Sequence, residues 1–149
     1  MRNNGTAAAL PKPYSREWVL LPEPYVNAVA AELESRGVRV DGHWNDPMDP
    51  RDVTVIVSDG AGKRLRFVWD EESGWRFGRM DEQGWVPLAA VRYLPGGLLP
   101  EPEQVADIVE GVLGGTVRGV PERPQHRSFH DYGDGFDRRL AAYGTAAVR

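Results

Sequence analysis

The stretch that decides the fold runs Trp44-Asn45-Asp46-Pro47-Met48-Asp49-Pro50-Arg51-Asp52, Val53-Thr54-Val55-Ile56-Val57, then Leu65-Arg66-Phe67-Val68-Trp69 and Gly74-Trp75-Arg76-Phe77. Apolar residues alternate here with period two, and clusters of Asp, Gly, Pro and Ser interrupt them. That pattern specifies short consecutive strands joined by tight turns. Asp59-Gly60-Ala61-Gly62 reads as a hairpin turn, because Asp-Gly supplies the positive φ of a tight return. Asp70 to Gly74 and Asp81 to Gly84 read as the next turns, the second leading to Trp85 and Val86. Val91, Tyr93 and Leu94 offer a last strand or a packed connection. Upstream, Val38, Val40 and Trp44 begin the first strand, with Gly42 placed for a bulge or a close contact.

Outward from this meander, two helices are expected. Pro22-Glu23-Pro24 opens the first, and Val26, Val29, Ala30 and Leu33 recur at helical spacing until Gly37 stops it. Leu98-Leu99-Pro100-Glu101-Pro102 opens the second, whose stripe is Val105, Ile108, Val109, Val112 and Leu113 before Gly114-Gly115. The phrase Leu-Leu-Pro-Glu-Pro thus occurs twice, but the intervening strands have no second copy, so it is one helix-start chemistry used twice. The expected architecture is α+β: an antiparallel meander of four to five strands with two helices packed on one face, plus a C-terminal strap. Residues 1–21 form a lead-in whose Trp18-Val19-Leu20-Leu21 adds an edge strand or caps the core. Residues 22–115 form the core domain, and residues 116–149 form the strap with a short helix carrying Phe136, Leu140 and Tyr143 on one side. Val29, Leu33, Val55, Phe67, Trp69, Ile108 and Val112 are expected among the most buried residues.

Composition narrows the function classes. With 149 residues, 41% hydrophobic and 27% charged, the chain is one ordinary globular domain. A net charge of −4 gives no reason to expect nucleic acid or an acidic membrane as partner. No apolar run approaches the length of a membrane span, and the N-terminal apolar stretch is too short for a secretory signal, so the expected location is cytoplasmic. The absence of cysteine excludes disulfides, zinc-thiolate sites and thiol nucleophiles. Sixteen of the eighteen basic residues are arginine, beside Lys12 and Lys63, a bias that points to a GC-rich genome.

Four pieces of the chain resemble a known family. They are Pro24-Tyr25-Val26 opening a helix, Trp44-x-Asp46-Pro47-x-Asp49-Pro50-Arg51-Asp52, Val68-Trp69-Asp70-Glu71-Glu72-x-Gly74-Trp75, and Leu99-Pro100-x-Pro102 before the second helix. Together they resemble a small actinobacterial family, the domain of unknown function numbered 6292, over residues 22 to 115. The resemblance implies an origin and a fold unit; it carries no activity and no site residues.

Several candidate sites can be weighed from the residues themselves. Asp46, Asp49 and Asp52, near Trp44 and Arg51, could hold a divalent cation through oxygen ligands, or a cationic ligand. The same Asp-Pro-x-Asp-Pro spacing is also that of a rigid double turn, and turn chemistry is the stronger reading. His126, His130, Asp131, Asp134 and Asp137 suggest a metal site, but Pro124, Gly133 and Gly135 oppose a helix there, so a solvated tail is expected. No serine lies in a Gly-x-Ser-x-Gly elbow, and no glycine-rich loop opens a helix. No cofactor, metal or catalytic residue is assigned. On the sheet, Arg64 and Arg66 lie opposite Leu65, Phe67 and Trp69, which argues against an RNA-binding face, where bases stack beside the basic groups. Ile56 and Val68 share the arginine face, and an apolar-plus-arginine face is what an interaction surface contains.

The sequence therefore points to a non-enzymatic binding or adaptor module, with a protein partner or a second copy of itself on the face of Ile56, Arg64, Arg66 and Val68, or on the loop of Trp44, Asp46, Asp49 and Arg51. The alternative is a small enzyme or metal-binding protein that uses Asp46, Asp49 and Asp52. A concave pocket joining Asp46, Asp49 and a histidine would favour chemistry; a flat apolar-arginine face would favour binding.

Overall fold

The computed structural model describes residues 9–46 and 50–147. Alternation makes the meander as expected: strands β1 (Arg39–Asp46), β2 (Asp52–Ser58), β3 (Arg64–Asp70), β4 (Gly74–Arg79) and β5 (Arg92–Tyr93) pair antiparallel in chain order. Asp59 and Asp70 close their turns with carboxylate oxygens that accept from backbone N–H groups two to four residues on. The expected bulge is present, the β1–β2 register shifting between Val40 and Gly42. Residues Asp81 to Val91 form no further long strand. They make a turn, cross the outer face of the sheet and return to the short β5.

On the inner face Val53, Val55, Val57, Leu65, Phe67, Trp69 and Trp75 are buried. Helix α2 (Glu23–Ser35) brings Val26, Val29, Ala30 and Leu33 to them, and ends where Gly37 turns left-handed at φ +81°. Tyr25, adjacent to the stripe, is buried too, and its hydroxyl donates to Pro100 O at 2.6 Å and accepts from Trp75 Nε1 at 3.1 Å. Helix α3 (Pro102–Leu113) starts with a capping box between Glu101 and Gln104. It buries Val105, Ala106 and Val109, whereas Ile108 and Val112 are only partly covered. The helix is rotated from the expected orientation, toward its Ala106 side.

The helical layer has a third long member. Helix α4 (Phe136–Ala147) places Phe136 and Leu140 in the same hydrophobic core, the Phe136 ring stacked on Trp69 at 6.0 Å and the Tyr143 ring 4.9 Å from Tyr25. The expected pair of helices is therefore incomplete. Of the two readings of the lead-in, edge strand or core cap, the second holds: Ser15 caps a one-turn helix, α1 (Arg16–Val19), that buries Trp18 completely.

Chain ends and meander are tied by buried charges. Arg51, 1% exposed, donates bidentately to Glu71 (Nε to Oε2 at 2.9 Å, Nη2 to Oε1 at 2.8 Å) and to Asp137 at 2.6 Å, and its guanidinium lies 3.9 Å over the Trp18 ring. Burial alone would favour neutral Arg51; the carboxylates of Glu71 and Asp137 overrule it and hold the cation. Arg127 adds a second guanidinium to Glu71 at 2.8 Å and grips Asp134 at 2.7 Å. Segment 116–135 is therefore not a solvated tail. It bridges Tyr93 through Val120, binds Glu72 through Arg123, the His126 N–H and the Phe129 N–H, and delivers α4 to the core. Among the described residues no helix is long and apolar enough to cross a membrane.

Candidate functional site

The outer face is ordered by the strand register into rows. One row is acidic, with Asp46 opposite Asp52 and Asp52 opposite Asp70. The next is Trp44, Thr54, Val68 and Arg76, and the third is Gly42, Ile56, Arg66 and Gly78. Directly opposed same-face side chains stand within contact distance, so like charges in the first row repel. Asp70 escapes by its turn: one oxygen accepts two backbone N–H groups and the other takes Arg76 Nη1 at 2.6 Å.

Asp52 has no such outlet. Burial, then the charges of Asp46 and Asp70, push its carboxyl up to about 6 against the partial relief of Arg76. Four buried side-chain polar atoms among the described residues lack a hydrogen-bond partner: Asn45 Oδ1, Asp52 Oδ1, Arg66 Nε and Ser73 Oγ. Two of the four, on Asp52 and Arg66, belong to residues that line one cavity of about 270 Å³ on the outer face. Buried polar atoms are nearly always paired, so two unpaired residues at one concavity mark where a ligand or water completes the structure.

The roof of this cavity is the β4–β5 connection. Val86 descends onto Gly78 so closely that a Cβ on Gly78 would stand 2.2 Å from Val86 Cγ1. A glycine inside a strand marks such a close approach. Trp85, in contrast, is 73% exposed although it borders the cavity. Across the sheet the Arg66 guanidinium stands 5.7 Å from the Trp44 ring.

The expected site residues separate. Asp46, Arg66 and Val68 line the cavity; Ile56 shares their face but is buried, 5% exposed. Trp44 stays partly exposed beside Arg66, while Arg64 lies at the far end near Asp41 and Ser58. Arg51 leaves the group altogether, its side chain buried with Glu71 on the helical side. Asp49 lies outside the described residues. Neither the strap nor a histidine lines the cavity among the described residues, and no three of their His, Asp or Glu side chains converge as a metal site. Arg76, Trp85 and Val86 were missed as cavity residues. Strand parity places Arg76 on the Arg66 face, and Gly78 signals that something packs close; which residue does so is not readable from spacing.

A larger groove, about 660 Å³, lies between β5 and residues 116–126, with Leu94, Val117 and Val120 in its walls. Its Arg123 is committed to Glu72, and it gathers none of the four unpaired atoms.

No curated protein and no solved structure matches the chain. A family model does match, over residues 25–111, more than half of the chain and every strand of the sheet. The chain belongs to that family, the family of unknown function DUF6292.

Proposed function

We propose that this protein is a non-enzymatic binding module whose ligand enters the outer-face cavity between the sheet and the β4–β5 connection. The observation that carries this reading is the pair of unpartnered buried atoms, Asp52 Oδ1 and Arg66 Nε, on two residues that line one concavity. A buried polar atom without a partner costs about 1–3 kcal/mol, and a water or a ligand group in the cavity can supply that partner. Among the described residues no hydrogen bond in the cavity joins a nucleophile to a base, which favours recognition over turnover. A mixed fragment library followed by NMR tests the reading. Hits should shift the Trp85 indole and Arg66 Nε–H signals; hits confined to other surfaces would refute it.

A second reading has its own observation. Trp85 and Leu88, 73% and 92% exposed, stand on the connection that roofs the cavity. A second copy resting on them would form a homodimer, and light scattering that finds only monomer at high concentration would remove this reading.

A further inference from the structure

Resting on the cavity as a ligand site, we propose that its ligand is an extended zwitterion: an ammonium group against Asp52 and Asp46, a carboxylate on the Arg66 guanidinium, and an alkyl spacer over Val68 and Val86.

Charge bookkeeping selects this class. Asp70 and Arg76 neutralise each other at 2.6 Å. That leaves Asp46 and Asp52 at one end and Arg66 at the other, and among the described residues the Arg66 side chain has no hydrogen bond or ion pair, only the Trp44 ring at 5.7 Å. A simple anion would meet Arg66 but face two carboxylates. A simple cation would satisfy Asp52 and leave Arg66 bare. Only a molecule with both charges pairs both ends.

The register selects the length. The acidic row and the row of Arg66 are four β2 residues apart, Asp52 to Ile56, which is about 14 Å of strand and, less a hydrogen-bond length of about 3 Å at each end, leaves about 8 Å between the charges of the ligand. Thr54 and Val68 lie between the two rows. The charges of the ligand are therefore held apart by a chain, unlike those of an α-amino acid. Val68, Val86 and Val91 give that chain an apolar wall. An ω-amino acid is the simplest such compound.

The experiment titrates the full chain with 6-aminohexanoate, hexylamine and hexanoate at constant ionic strength, reading the Trp85 indole and Arg66 Nε–H signals. Where Arg66 is replaced, Trp85 alone reports. The zwitterion should bind at least about tenfold more tightly than either single-charge analogue. Arg66→Gln should abolish its advantage over hexylamine, and Asp52→Asn its advantage over hexanoate; circular dichroism verifies that both variants fold. Equal affinity for all three compounds, or an advantage that survives both substitutions, would overturn the ligand class while leaving the cavity as a binding site. If none of the three moves either signal, the zwitterion proposal falls, and the fragment library decides the cavity separately.

Discussion

At Asp52 a carboxylate sits opposite Asp46 on one neighbouring strand and Asp70 on the other, with one oxygen buried and unpartnered. Its ordinary value is 3.8, and in the fold it is pushed up to about 6 by burial and by those two aspartates, with Arg76 opposing. The folded chain therefore keeps a proton that the unfolded chain releases. The contribution is fully present below pH 4 and is lost as pH rises through 6. Asp52→Asn should stabilise the protein at pH 7.5 by about 1 kcal/mol, with the gain vanishing near pH 3.5. Urea midpoints across that range check the sign. A cation bound at Asp52 reverses the trend, because it favours the ionised carboxylate. Arg51 is the opposite kind of residue, a buried charge with every partner in place. Arg51→Ala leaves the buried Asp137 without its cation and Glu71 with Arg127 alone, and should cost about 3–5 kcal/mol by chemical denaturation. Its loss should not add to that of Asp137→Ala, since the two share one network.

Among the elements, the β4–β5 connection decides whether the outer face is flat or concave. Its seat is Gly78, and Gly78→Ala would drive a methyl into Val86. The core lies on the other side of the sheet, so global stability should change by no more than about 1 kcal/mol while Trp85 fluorescence and proteolysis near Trp85 change clearly. Val86→Ala in the same chain should restore the original pattern. A Gly78→Ala protein with an unaltered loop would mean that the strand yields instead. The inner face answers differently: Phe67→Ala removes a buried ring that stacks on Phe77 and should cost about 3–5 kcal/mol. The strands, their turns and the α2 stripe were legible because each is local, written in alternation, Asp-Gly pairs and i, i+3, i+4 spacing. The rotation of α3 was not, because Val105, Ala106, Ile108, Val109 and Val112 form an apolar arc wider than the core can cover.

For the whole molecule, the family match and the folded unit have different extents. The match covers residues 25–111, yet Phe136, Leu140 and Trp18 fill the core, and Arg127 and Asp137 complete the charges of Arg51 and Glu71. A chain ending at Thr116 should lose cooperative thermal unfolding, with the near-ultraviolet circular dichroism of Trp69 and Trp75 collapsing. A sharp transition at the original temperature would show instead that the meander with α2 and α3 is self-sufficient.

Sequence by itself determined the antiparallel meander, its turns, the two proline-opened helices and the face on which Arg66 and Val68 stand, because short-range stereochemistry and side-chain parity suffice for each. It also named α4, through Phe136, Leu140 and Tyr143, but not its place in the core. Tertiary structure alone decided that Arg51 turns inward to Glu71, that the strap binds Glu72, and that Val86 closes over Gly78 to make a cavity. These depend on contacts between segments 20 to 86 residues apart or on a loop without periodicity, and a charge carries no mark in sequence of the partner that will neutralise it.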